Sequence, residues 1–426
     1  MKIAFVSQPL DRIIPPFQSS IGIWTHEVAR RLARFCGVTV YTRGDRAQRD
    51  AEWDGGIRHR CVSVRPDDRL LRLLRRLSGL YDSRRPLFAS GLYYLGYILR
   101  VANDLRDRPC DVVHVQNFSQ FVPVIRAFNP DARIVLHMHC EWLTQLDRRM
   151  IERRLRQADL VVGCSDYITR KIRQRFPRFA DRCQTVCNGV DVDRFSGKNG
   201  HPRGGDARRL LFVGRISPEK GVHVLLDAFQ KVVERCPQAR LEVVGPQGAA
   251  PIEFIVGLAD DPRVSGLASF YQGDYFSLLQ SRLSSEAMGR VSFKGQVAHS
   301  RLSDHYRNAD VLINPSLSEA FGMSLVEAMS TGVPAVATRV GGVAEVVEDG
   351  KTGLLVEPGD ASALAGAILR LLDDDGLRRS MGEAARRRAV ERYSWEAVAD
   401  RLWHHYKTIC GHDERFMPKR PGASVF

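Results

Sequence analysis

Two stretches of the chain carry the same succession of apolar and polar positions. From Lys2 to Thr42 the apolar KIAFV leads through a polar, glycine-containing loop to the amphipathic WTHEVARRLARF and then to the apolar VTVYT. From Arg209 to Gly245 the order repeats as RLLFV, the loop GRISPEKG, the amphipathic VHVLLDAFQKVVERC and the apolar RLEVV. Short unbroken apolar runs read as buried strands, and a repeat of about 3.6 residues reads as a helix with one apolar face. Each stretch is therefore a strand–helix–strand unit, which predicts a parallel sheet covered by helices. Its occurrence twice, about 200 residues apart, predicts two Rossmann-like domains rather than one large sheet.

Further strands are expected at 111–116, 133–139 and 160–165 in the first half, and at 291–297, 311–316 and 334–340 in the second. The glycine- and charge-rich 195–209 reads as a linker. Residues 248–290 follow no simple period and read as an insertion; 395–409 is an amphipathic helix and 411–426 a loose tail.

A chain of 426 residues can bury two separate cores. No apolar run approaches the roughly 20 residues that span a bilayer, and the N-terminal apolar segment is short enough to read as a strand instead of a secretion signal. Nine cysteines lie scattered without a CxxC pair, the closest being Cys183 and Cys187, so reduced thiols in the cytoplasm are expected and a disulfide framework or zinc site is not. The net charge of +14 suits phosphorylated substrates or an anionic membrane surface. Without interleaved basic and aromatic residues, nucleic acid is not an expected partner.

One segment concentrates that charge. In 67–87, Leu70, Leu71, Leu73, Leu74, Leu77 and Leu80 fill one half of a helical wheel, opposite Arg69, Arg72, Arg75 and Arg76. Two readings follow: the helix lies on an anionic membrane, or its leucines pack on the first domain and its arginines are solvated.

The chemistry is concentrated after the strand at 311–316. In open α/β sheets ligands sit beyond the carboxyl ends of strands. There, SEAFGMSLVEAM (318–329) starts a helix near Phe321–Gly322, whose free N–H groups and positive dipole end can seat an anion. Gly322, without a Cβ, lets a phosphate approach the backbone. Glu319 and Glu327 would repel a phosphate, but carboxylate oxygens suit vicinal hydroxyls. Lying on either side of the helix start, they can take the sugar and the ribose of one nucleotide sugar. Read structurally instead, Glu319 complements the dipole and Glu327 is solvated. Arg215 and Lys220, in the loop after the strand of the same domain, are placed to neutralise a diphosphate; the ordinary alternative is two exposed loop cations.

With CNGVDVDRF (187–195), GRISPEKGVHVLLDAF (214–229), SEAFGMSLVEAMSTGVPAVAT (318–338), GGVAEVVEDGKTGLLVEPGD (341–360) and YSWEAVADRLWHHY (393–406) in this order, the chain resembles the family 4 glycosyltransferases over roughly Met1 to Ile409. The resemblance implies an α/β GT-B fold with two Rossmann-like domains facing a central cleft. Residues 1–194 would form the acceptor domain, with helix 395–410 packing back on it, and 208–394 the nucleotide-sugar donor domain.

It further implies that Arg215 and Lys220 bind the donor diphosphate, that Glu319 contacts the transferred sugar, and that Glu327 binds ribose. The backbone across Phe321, Gly322, Met323, Ser324 and Leu325 would contact sugar and phosphate, and Val297 would border the base. His139 falls where the family has an active-site histidine, and with Glu319 makes up the catalytic pair. Where the family's first loop reads Gly-Gly this chain has Ile21-Gly22, leaving Gly22 to meet a phosphate. His137 shares a strand face with His139 and is its rival, and a strand histidine is commonly a satisfied core group.

The implied reaction is retaining transfer of a sugar from a nucleoside-diphosphate sugar to an acceptor hydroxyl, without metal or cofactor; DVD (191–193) belongs to the junction motif. The acceptor would be a glycan, a lipid-linked sugar or a small molecule in bacterial-type glycolipid, polysaccharide or glycoconjugate assembly. Its place would be the cytoplasm, peripheral at the inner membrane face if the basic segment binds lipid. A glycoside phosphorylase, a nucleotide-sugar epimerase and a non-catalytic nucleotide-sugar-binding subunit are the competing readings.

Overall fold

A computed structural model describes residues 1–11, 13–44, 51–53, 56–76, 81–197 and 208–411. Two sheets organise them. In the first half the strands are β1 (Lys2–Val6), β2 (Gly37–Gly44), β3 (Ala51–Trp53), β4 (Ile57–Ser63), β5 (Val112–Gln116), β6 (Arg133–Met138), β7 (Leu160–Gly163) and β8 (Cys183–Thr185). They are ordered β3-β4-β2-β1-β5-β6-β7-β8, with only the β3–β4 edge antiparallel. The second half contributes β9 (Arg208–Val213), β10 (Ala239–Val244), β11 (Val291–Gly295), β12 (Val311–Asn314), β13 (Ala335–Thr338) and β14 (Gly353–Val356). These run parallel in the order β11-β10-β9-β12-β13-β14.

Helices cover both faces, so the central strands are buried throughout: every residue of β5, β7, β12 and β13 is buried. That is why these strands read as continuous apolar runs. Helix Ser20–Leu32 links the parallel pair β1 and β2, and helix Val222–Arg235 links β9 and β10. Chain order reverses on either side of β1 and of β9, so the loops that leave the neighbouring strands diverge and open a crevice at each sheet's carboxyl edge.

The six further expected strands are present, each slightly shorter than its apolar run. The expected linker is cut short: Phe195 is fully buried against His299 and Tyr306, and β9 already begins at Arg208. Its middle, 198–207, lies outside the described residues, as do 412–426 of the expected tail.

The insertion folds as short helical turns and reaches across to the first domain. There, the Trp142 indole N–H donates to the Phe254 carbonyl at 2.8 Å, and the Phe88 and Trp142 rings stand 4.7 and 5.3 Å from the Phe254 ring. Helix Trp395–Cys410 also returns to the first domain, where Arg31 pairs with Glu396 at 2.8 Å and Phe35 meets Trp403 edge-on.

Helix Arg65–Arg75 does not bury the leucine face of its segment. Leu71 is buried and Leu74 half-buried, but Leu70 and Leu73 are 41% and 58% exposed beside the exposed Arg69, Arg72, Arg75 and Arg76. Leu77 and Leu80 lie outside the described residues. Among the described residues no helix is long and apolar enough to cross a membrane.

Candidate active site

Between the two carboxyl edges lies a cleft of about 580 Å³, and beside it a second of about 490 Å³ that shares His139, Arg215, Lys220 and Glu319 with the first. The loops after β1, β9 and β12 and the end of β6 supply these walls, as the strand reversals require.

The loop after β9 carries the cations. Lys220 Nζ donates to Glu319 Oε2 at 2.6 Å, joining it to the loop after β12. Arg215 is held by Glu219, at 2.9 Å, and Ser217 Oγ donates to the same carboxylate oxygen at 2.7 Å. Burial alone would raise the Glu219 carboxyl, but Arg215 and Ser217 together keep it below the usual carboxylate range. Glu219 and Ser217 are residues that sequence reasoning missed; nothing in PEK distinguishes a carboxylate that anchors its neighbour from a solvated one.

Glu319 sits on a loop clamped from behind, where Gly341 has φ +48° and a Cβ would strike the Glu319 carbonyl. Helix Met323–Ser330 follows, capped by the backbone of Gly322 at φ +96° with no side chain over its first N–H groups. Phe321, Gly322, Met323 and Ser324 line the cleft. Leu325 does not: its side chain is fully buried and its N–H donates to the Gly322 carbonyl at 3.0 Å.

One turn on, Glu327 is buried instead of solvated. His299 Nε2 lies 2.8 Å from one of its oxygens, and the Tyr306 hydroxyl donates to the other at 2.6 Å. Val297 and His299 line the same end of the cleft. His299 and Tyr306 escaped sequence reasoning, because they lie outside the recognised motifs and only the fold brings them to Glu327.

From the first domain, His139 reaches the cleft at the end of β6. Its ring lies 4.1 Å from the His137 ring and 5.7 Å from Trp24, and burial pushes its pKa down to about 3, so the imidazole is neutral. His137 turns into the core, with Nδ1 3.2 Å from His114 Nε2, and is a structural histidine. Gly22 is displaced from its expected place. Ser19 caps the first helix and its Oγ accepts the Gly22 N–H at 3.0 Å, so Gly22 is buried in the first turn and Ser19, Ser20 and Ile23 line the cleft. In the DVD stretch, Asp191 accepts the Arg194 N–H at 3.0 Å, a turn contact.

Residues 21–194 match the family model described as Glycosyltransferase Family 4, and residues 193–388 the one described as Glycosyl transferases group 1. Over 250 residues the chain is 36% identical to a D-inositol 3-phosphate glycosyltransferase 2 of Catenulispora acidiphila, covering 57% of this chain and 54% of that protein. Over 235 residues it is 36% identical to a phosphatidyl-myo-inositol mannosyltransferase of Mycobacterium tuberculosis, covering 53% of this chain and 54% of that one. Both alignments span about half the relatives' own length. Among solved structures, sucrose-phosphate synthase from Thermosynechococcus elongatus superposes with a TM-score of 0.72 at 23% identity, covering 97% of this chain and 100% of that chain.

Proposed function

The chain belongs to the family 4 glycosyltransferases of GT-B fold, and from that premise we propose that it transfers a sugar, with retention of configuration, from a nucleoside-diphosphate sugar to an acceptor hydroxyl. Residues 1–194 with helix 395–410 serve as the acceptor domain and 208–394 as the donor domain. The observation that carries this reading is the convergence of Lys220, Arg215, Glu319 and the open start of helix Met323–Ser330 on one cleft, with Glu327 at its far end.

Arg215, Lys220 and the helix start take the diphosphate, Glu319 the sugar hydroxyls, and Glu327 the ribose. In the transfer step the bond from the anomeric carbon to the diphosphate breaks as the bond to the acceptor oxygen forms on the same face. The acceptor proton passes to the departing phosphate. Fixed positive charge lowers the barrier by stabilising that leaving group, so this chain's own cations do the work of a metal.

The relatives' names point to an inositol phosphate or its lipid as acceptor. A polyol suits the second cavity, where Lys171 paired with Glu141 and Arg263 paired with Asp261 stand beside Arg339, Trp142 and Phe254. The exposed Leu70 and Leu73 amid arginines favour the membrane reading of that helix, and with it a lipid-linked acceptor at an anionic surface.

The test is a thermal-shift screen of UDP, GDP and ADP. Incubation with UDP-glucose or GDP-mannose and either inositol phosphate or phosphatidylinositol vesicles follows. One nucleotide should raise the midpoint, and the product should keep the donor's anomeric configuration by NMR. Absence of both stabilisation and transfer across the panel would overturn the proposal.

A further inference from the structure

Behind His139, two consecutive residues grip it from different directions. Gln116, the last residue of β5, places Oε1 2.8 Å from His139 Nε2. Asn117 accepts the His139 backbone N–H on its Oδ1 at 2.6 Å. Asn117 holds the left-handed conformation, φ 54°, that a non-glycine residue rarely adopts. Its own N–H donates to the His137 carbonyl at 2.7 Å, which ties this turn to β6.

Gln116 is fully buried, and its Nε2 donates to Thr25 Oγ1 of the first helix at 3.2 Å. The amide oxygen is the end turned to the imidazole. An amide oxygen only accepts, so Nε2 of His139 must carry the hydrogen. Nδ1 is then the acceptor nitrogen of a ring that lines both parts of the cleft, with the Asn188 side chain within hydrogen-bonding reach of the imidazole.

We propose that Gln116 is a positioning residue that fixes His139 as the Nε2–H tautomer, so that Nδ1 accepts a hydroxyl hydrogen of the donor sugar. The proposal rests on the functional reading above, which puts the sugar beside His139. It adds a reason for an amide in this position. A carboxylate there would favour imidazolium, and a cation beside the sugar would oppose the positive charge that develops at the anomeric centre. The Asn188 side chain, by hydrogen bonding, favours the charged ring, but burial outweighs it. His137 and Trp24 are the rings packed on His139, His114 lies beyond His137, and burial holds His139 uncharged. Tyr406 closes the separate chain through His114 at 2.7 Å, so His139 meets that chain by ring contact.

The experiment is 15N NMR of the imidazoles in the full-length protein at neutral pH, with His139 assigned by its loss in His139→Asn. The wild type should show Nε2–H. Gln116→Leu should lose that preference, and Gln116→Glu should shift His139 toward the protonated ring. Both variants should lower kcat about tenfold, the effect of about one lost hydrogen bond in the transition state. The KM for whichever of UDP-glucose or GDP-mannose is turned over should change little. The Nδ1–H form in the wild type, or a His139 spectrum unmoved in Gln116→Leu, overturns the proposal. The wild-type spectrum decides even if neither variant folds. Full transfer by His139→Ala, beside a wild type whose His139 shows Nε2–H, would instead remove the functional reading.

Discussion

Lys220 Nζ lies 2.6 Å from Glu319 Oε2, so the cation assigned to the diphosphate and the carboxylate assigned to the sugar form one ion pair in the wall shared by the two cavities. Both side chains are about four-fifths shielded from solvent. The pair aligns two loops from opposite sides of the same strand reversal, which is why residues 99 positions apart act as a unit.

Lys220→Ala and Glu319→Ala should each reduce transfer by roughly a hundredfold or more, the scale of removing one fixed charge from a transition state. Thermal stability should fall little, since a partly exposed pair contributes about 1 kcal/mol or less. Because the residues act together, the double variant should lose much less than the product of the single losses. Near-normal turnover in both single variants would refute the assignment.

Glu327 is held differently, buried with one donor on each oxygen. Tyr306→Phe removes a donor from a buried carboxylate, which should weaken nucleoside-diphosphate binding about tenfold, equivalent to about 1.4 kcal/mol. Calorimetric titration with the nucleotide that scores in the screen checks this. Unchanged affinity would mean that Glu327 stays aligned through His299 alone.

These contrasts mark how far the sequence could be read. β1, β5 and β12 were legible because burial on both faces leaves a mostly apolar signature. β4 was not: IRHRCVS alternates charged and apolar residues near the edge of the sheet. Arg215, Lys220, Glu319 and Glu327 share two local motifs and could be named in advance. Gln116, His299 and Tyr306 are brought to the cleft residues by tertiary packing alone, whereas Glu219 lies inside a local motif that does not mark its carboxylate as the anchor of Arg215. Gly22 misled because a capping hydroxyl, Ser19 Oγ, drew it into the helix and used its N–H.

On helix Arg65–Arg75, Leu70→Ser with Leu73→Ser removes exposed apolar area without opening the core, so stability should move by about 0.5 kcal/mol or less. Co-sedimentation with phosphatidylglycerol vesicles should drop clearly, and Arg72→Glu with Arg75→Glu should abolish it at low salt, each basic residue contributing about 1 kcal/mol near an anionic surface. Binding by the wild type that is insensitive to both salt and these changes would exclude this helix as the contact.

The bond from Trp142 to the Phe254 carbonyl joins the insertion to the first domain beside the second cavity. Trp142→Phe keeps the ring but removes the N–H. The acceptor KM should rise about fivefold while donor affinity stays constant, the loss of about one net hydrogen bond. A change confined to donor affinity would show that this wall does not serve the acceptor.

The buried histidines give stability a definite pH dependence. Burial holds His114, His137 and His139 below the ordinary 6.5, and His59 and His223 at about 4. Below pH 6.5 the unfolded chain takes up protons at these positions and the native state does not. Their contribution is therefore complete above 6.5 and is lost as pH falls. Asp11 opposes them: burial lifts its carboxyl from 3.8 to about 7, although Ser19 donates to it, so between these values the native state holds the extra proton. Five histidines outweigh one aspartate, and each unbalanced proton is worth about 1.4 kcal/mol per pH unit. The urea midpoint should fall steadily from pH 7 to pH 5. Asp11→Asn should steepen the fall by removing the opposing group. A midpoint that holds level or climbs toward pH 5 would mean that these imidazoles are already charged in the folded protein, and with them the neutral His139 that the transfer geometry requires would be lost.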